Sequence, residues 1–300
     1  MLRNTEASEL RDVSSAIVTP GRSTALAIEL DFTGKVVVVI GGTSGINRGI
    51  ARCFATHGAR VAVASRKQEK VDDTVRELIS LGAEAMGFAA DVREPDQLEA
   101  GIQAVHDRFG DFDIVVSGAA GNFPALANDL SWNGFKSVVD IDLRGTFHVM
   151  KAIFPRLRKP GASVINISAP QAFVPMKAQV HVCAAKAGVD MITRTLALEW
   201  GPSGVRVNSV VPGPIDGTEG MARLAPDEAS RRRALAGVPL GRFGTPEDIG
   251  NACMYLSSEL GNYVNGVVLA VDGGSSQAGC GSMSDDLGLL SARNSAARRG

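Results

Sequence analysis

The sequence predicts an α/β fold: a doubly wound, seven-stranded parallel sheet with helices on both faces. Three observations carry this. Short β-branched runs recur without polar alternation, which is how strands buried on both faces read. Helical patterns separate the successive runs, as parallel crossovers require. A glycine cluster, Gly41-Gly42-Thr43-Ser44-Gly45, closes the first run and opens the first helical pattern.

The elements follow in order. The run 35–40 (KVVVVI) is the first strand, and a helix pattern over 47–57 comes next. The second strand is 60–66, followed by a polar helix over 67–81. The third strand, 84–90, is closed by Asp91, and a helix covers 95–109. The fourth strand, 113–118, leads to a long helix over 132–155. The fifth strand is 163–168, with a helix over 180–201; 205–211 and 267–271 are the last two strands. No break in composition interrupts 31–275, so the expectation is one domain. Residues 1–30, mixed and polar around Pro20-Gly21, read as an arm, and the Gly/Ser-rich stretch 276–300 as a tail.

The chain has 300 residues, enough to bury a large core without disulfides or metals. Its net charge of −1 gives no electrostatic footprint for nucleic acid. Cys53, Cys183, Cys253 and Cys280 form no CxxC pair and read as reduced structural thiols in a cytoplasmic protein. The histidines and cysteines show no metal-ligand spacing, so no metal is expected. No apolar run reaches the ~18 residues of a membrane span, the start carries no secretory pattern, and the terminus Arg298-Arg299-Gly300 is not of the peroxisomal type.

A glycine-rich turn between a first strand and a helix lets backbone N–H groups approach a pyrophosphate, with the positive end of the helix dipole behind them. This Rossmann-type arrangement makes Gly41, Thr43, Ser44, Gly45 and Ile46 candidate cofactor contacts. The second strand ends at Ser65-Arg66 rather than at an acid. A basic residue there suits the 2′-phosphate of NADP(H). Asp91 and Val92, at the end of the third strand, are placed beside the adenine.

These motifs, in this order, resemble the short-chain dehydrogenase/reductase family over about residues 32–275. The family's Asn-Asn-Ala-Gly strand end appears as Gly118-Ala119-Ala120-Gly121. Its Arg-Val-Asn strand and Pro-Gly loop appear as Arg206-Val207-Asn208 and Pro212-Gly213-Pro214, and its terminal Asp-Gly-Gly as Asp272-Gly273-Gly274. The resemblance implies further cofactor contacts at Ala119, Ala120, Gly121, Lys186, Pro212, Gly213 and Ile215. The departures are specific. Ile40 precedes the first glycine, and Asn47 replaces the last one, a substitution expected to be tolerated because asparagine adopts unusual φ/ψ. Val182 stands four residues before Lys186, where the family has its catalytic tyrosine. Ala169 lies at the serine position, with Ser168 beside it, and Asp142 at the asparagine position.

The same departures resemble one subgroup, the peroxisomal-type 2,4-dienoyl-CoA reductases, through 119–123 (AAGNF), 140–147, 199–202 (EWGP) and 212–220. That subgroup lacks the mitochondrial type's tyrosine, whose position here is Gln171, and uses an aspartate where this chain has Asp142. The resemblance implies catalysis by Asp142 and Lys186, and an acyl chain or thioester bordered by Asn122 and Phe123. It implies coenzyme A contacts at Arg93, Trp132, Asn133 and Arg223. The missing tyrosine suits the chemistry. Hydride added to the far end of a dienoyl thioester leaves charge on the thioester oxygen, which needs donors first and a proton on carbon later. Two other readings stay open: a ketone or alcohol oxidoreductase with an atypical proton donor, and a non-catalytic NADP-binding sensor. His181 stands beside the site as a candidate acid, with a hydrogen-bonded helix-start residue as the preferred reading, and Asp216 and Glu219 lie in a loop that either closes over the cofactor or is simply solvated. A homo-oligomer, dimer or tetramer, is expected, with Ile141, Phe147, Met150 and Phe154 forming either its interface or ordinary core.

Overall fold

The computed structural model describes residues 30–278; the arm and most of the tail expected at the two ends, Cys280 included, lie outside them. Seven strands, β1 Val36–Ile40, β2 Arg60–Ser65, β3 Ala85–Ala89, β4 Ile114–Ser117, β5 Ser163–Ile167, β6 Arg206–Pro212 and β7 Val268–Val271, form one sheet. All pairings are parallel, in the order β3-β2-β1-β4-β5-β6-β7. Nine helices lie among the described residues: α1 Gly45–Thr56, α2 Gln68–Ser80, α3 Pro95–Phe109, α4 Trp132–Val138, α5 Gly145–Ile153, α6 Val180–Trp200, α7 Glu219–Leu224, α8 Glu228–Ala236 and α9 Pro246–Ser257. None is long and apolar enough to cross a membrane.

The unbroken valine run of β1 follows from burial on both faces. Val37 and Val39 join one core with Ile50 and Phe54 of α1 and Ile249 and Met254 of α9. Val36 and Val38 join the other, with Ile102 and Val105 of α3 and Val149 and Ile153 of α5. Each fully buried valine contributes roughly 1.5–3 kcal/mol, so a polar residue anywhere in the run would face a dry core. Close packing against α1 fixes α9: a Cβ on Gly49 would lie 2.2 Å from Pro246 Cβ, and one on Gly250 2.3 Å from Cys53 Sγ.

Two features depart from the sequence reading. The single helix expected over 132–155 is α4 and α5 joined by a π-helical turn, Val139–Arg144. A π turn takes in an extra residue and so changes which side chains face inward. Here Asp142 is buried while Asp140, in the same turn, is paired at the surface with Lys136 and Arg144. The sequence reading also assigns no helix between 218 and 257, where α7, α8 and α9 lie. Thr245 and Asp248 cap α9 reciprocally, with Pro246 at its first position, a start signal legible in the sequence. Of the four residues expected at an interface or in the core, Met150 belongs to the core, Phe154 stacks on Trp200 and Ile141 is half-buried, leaving Phe147 exposed.

Candidate active site

The strand order reverses between β1 and β4, and in open parallel sheets a crevice forms at the carboxyl ends of the strands there. A cleft of about 340 Å³ occupies that place. Gly41, Thr43, Ser44, Ser65, Arg66, Asp91, Val92, Ala119, Ala120 and Gly121 all line it. Gly41 has φ +80°, and a Cβ there would come within 2.9 Å of the Ala119 nitrogen. Gly45, at φ +49°, opens α1. No side chain caps this helix start and its first turn holds no acid, so free N–H groups face the cleft mouth.

Asn47 is helical, so its tolerance does not come from unusual backbone angles. Its Nδ2 donates to the Gly118 carbonyl at 2.8 Å and ties the glycine loop to the end of β4. A Cβ on Gly118 would lie 2.3 Å from that amide, which explains the glycine there. Exposed Arg66, Lys67 and Lys70 also line the cleft, and no acid stands at the end of β2. These residues fit a dinucleotide with an extra phosphate. Asp91 accepts two hydrogen bonds from the Arg93 side chain, at 3.0 and 2.6 Å, which hold its carboxyl below the usual range. Ile46 is half-buried in the first turn of α1. Pro212 ends β6 and Gly213 follows it; a Cβ on Gly213 would lie 2.5 Å from Asp272 Cα. The Ile215 side chain packs in the core and borders a second cavity, of about 530 Å³, with Pro239 and Leu240 rather than the dinucleotide cleft.

Asp142 and Lys186 meet behind Gly121, which lines the cleft. Asp142 is 1% exposed, and its Oδ1 accepts from the Gly121 N–H at 2.7 Å. Its Oδ2 lies 3.5 Å from Lys186 Nζ and has no hydrogen-bond partner of its own. Burial pushes the Asp142 carboxyl up, and the Lys186 charge pulls part of that back. Lys186 Nζ donates to the Ile167 carbonyl at 3.0 Å, which fixes the ammonium between β5 and the π turn. Val182 packs with Val138 and Ala185 where a tyrosine would stand, and Gln171 is buried with its amide on Met176 Sδ. No hydroxyl occupies the tyrosine position, and the titratable group beside the lysine is the Asp142 carboxyl.

The structure brings only part of the expected substrate side together. Asn122 and Phe123 follow Gly121 directly, and Asn122 Oδ1 is buried without a partner. Arg223 lines the cleft and donates to the Asn122 carbonyl at 3.2 Å and to Glu219 at 3.1 Å. Glu219 in turn lies 3.8 Å from Lys70 across the mouth, whereas Asp216 pairs with Arg231 at 2.9 Å. Arg93, Trp132 and Asn133 lie on the outer surface and do not line the cleft; Trp132 is 94% exposed. Sequence reasoning missed Gln179, which donates to the Phe123 carbonyl; His181 is the hydrogen-bonded helix-start residue it expected, with Nε2 3.0 Å from the same carbonyl. The one signal for Gln179 was its place just before the helix that carries Lys186.

Comparison with known proteins agrees with this fold. A family model described as enoyl-(acyl carrier protein) reductase matches residues 40–276. The chain is 44% identical to a peroxisomal 2,4-dienoyl-CoA reductase, (3E)-enoyl-CoA-producing, of Arabidopsis thaliana, over 80% of this chain and 84% of the relative. It is 41% identical to the Danio rerio protein of the same name, over 88% of each chain. A crystal structure of a short chain dehydrogenase from Bacillus anthracis superposes with a TM-score of 0.73 at 38% identity, covering 81% of this chain and 96% of that one.

Proposed function

The chain belongs to the short-chain dehydrogenase/reductase family, and on that premise we propose that it reduces 2,4-dienoyl-CoA to 3-enoyl-CoA with NADPH, in the β-oxidation of unsaturated fatty acids. The observation that carries the reading is the buried Asp142–Lys186 pair beside an apolar Val182. NADPH, when bound, supplies the hydride. The chain's residues then have three tasks. Gly41 through Ile46 hold the pyrophosphate at the start of α1, Arg66 takes the 2′-phosphate, and Asp91 and Val92 border the adenine. Lys186 holds positive potential where charge collects on the thioester oxygen, and Asn122 and Phe123 border the acyl group. Asp142, whose burial favours its protonated form, passes a proton through water to the carbon next to the thioester. Arg223 reaches from α7 toward the coenzyme A portion, with Arg93, Trp132 and Asn133 further out on the surface.

Arg66, with no acid at the end of β2, supports NADPH over NADH. Exposed Phe147 on α5 and Met191 and Leu198 on α6 support a homo-oligomer. A reducing, cytoplasmic setting is inferred from the free thiols of Cys53, Cys183 and Cys253; burial pushes the Cys53 thiol up to about 11. The test is NADPH oxidation at ~340 nm, the reduced nicotinamide band, with a trans,trans-2,4-dienoyl-CoA, a 3-ketoacyl-CoA and a simple ketone. Turnover confined to the dienoyl thioester is expected. Turnover of the ketone would assign a different proton donor, and NADPH binding with no turnover would make the protein a sensor.

A further inference from the structure

The turn from Gly121 to Ala125, which carries Asn122 and Phe123, is tied down by five hydrogen bonds. The Gly121 N–H donates to Asp142 Oδ1 at 2.7 Å, and the Asn122 carbonyl accepts from Arg223 at 3.2 Å. The Phe123 carbonyl accepts from Gln179 Nε2 at 3.2 Å and from His181 Nε2 at 3.0 Å. The Ala125 N–H donates to the Ala178 carbonyl at 2.9 Å. Three of the five anchors come from one stretch, 178–181, at the start of α6.

That stretch is held at a cost. Ala178 has φ +60°, the single non-glycine residue in the left-handed region among those described. Such a conformation persists where the surroundings over-determine it, and it clusters at ligand clamps. Gln179 and His181 are 1% and 0% exposed. A carbonyl only accepts, so His181 Nε2 carries a proton and donates. Nδ1 and Gln179 Oε1 are both buried without partners. Apolar side chains would pack there without leaving those atoms orphaned. What the polar ones gain is the grip on Phe123, whose ring also stacks on His181 with centroids 4.7 Å apart.

We propose that Gln179 and His181 are positioning residues that fix the Gly121–Ala125 turn against Asp142, so that Asn122 and Phe123 meet the acyl thioester in one register. The consequence for turnover rests on the dienoyl-CoA reading; the consequence for the turn does not.

The test compares His181→Phe, which keeps the ring stack and loses the donor, with His181→Gln, which keeps a donor. Gln179→Met serves as a second variant should His181→Phe fail to fold. Amide hydrogen exchange is read over 119–125 and over β1, alongside NADPH binding and steady-state kinetics. Loss of one donor should speed exchange over 119–125 and lower kcat by about fivefold each, equivalent to ~1 kcal/mol. NADPH affinity and β1 exchange should stay unchanged, and His181→Gln should restore both losses. Unchanged exchange in His181→Phe would overturn the proposal. So would faster exchange in β1 with no rescue by glutamine, which would make these packing residues, or altered exchange with unaltered kcat. A wild-type protein inactive on dienoyl-CoA would remove the functional reading, while exchange over 119–125 would still decide whether the donors hold the turn.

Discussion

Asp142 is a carboxyl whose surroundings oppose its charge more than they favour it. Burial raises its pKa, and Lys186 and the Gly121 N–H only partly offset that. The sign follows: a raised carboxyl keeps its proton to higher pH, so turnover that draws on this proton declines as pH rises through its titration. The pH profile of kcat should show that limb, and Asp142→Asn should abolish it. The same variant should lower kcat more than about tenfold, or ~1.4 kcal/mol, with NADPH affinity kept. A smaller loss would reduce Asp142 to a structural carboxylate. Arg66→Ala should raise the NADPH dissociation constant by about tenfold and leave that of NADH alone, consistent with one charged hydrogen bond, as read by cofactor fluorescence titration. Both positions were legible in the sequence, Asp142 by its place in a resemblance and Arg66 by its place at a strand end. Gln179 was not, and of His181 only that it is hydrogen-bonded at a helix start, because their partner is a backbone carbonyl 56 and 58 residues away, and no sequence pattern encodes such a bond.

Among the elements, strands were read more faithfully than helices. A valine run buried on both faces has few alternatives, and β1 lies within a residue of its expected span. The π turn is invisible to periodicity, because 139–144 keeps the composition of an ordinary amphipathic helix. Helix α9 was overlooked although Thr245-Pro246-Glu247-Asp248 spells its start. Asp248 there receives hydrogen bonds from Arg242 and the Thr245 N–H, which bring its pKa down to about 2. A depressed carboxyl stabilises above its unfolded pKa, and the benefit is lost as pH falls from about 3.8 toward 2. Solvent screens much of the ion pair, so Asp248→Asn should cost about 1 kcal/mol at neutral pH. The gap to wild type should close as the acid side of that window is reached, as checked by urea unfolding at several pH values.

For the whole molecule, exposed Phe147, Met191 and Leu198 predict association, which the monomer mass of 31.3 kDa makes easy to read. Light scattering should give a dimer or tetramer, and Phe147→Glu with Leu198→Glu should shift it to the monomer. The sequence announced the order of strands and helices, because hydrophobic period and crossover rules leave few topologies. It did not announce which copies of an apolar face remain outside, since core and interface use the same residue types. The π turn, finally, sets a relation of phase. In an α-helix each residue advances the side-chain direction by about 100°. Deleting one residue from 139–144 would restore ordinary pitch and rotate α5 by that angle, turning Val149, Met150 and Ile153 out of the core they fill. The widened turn therefore acts as a coupling between two dials: it lets the helix point a carboxyl at Lys186 and, a few residues on, point its apolar stripe at the sheet. With a uniform pitch, one of the two would be out of step.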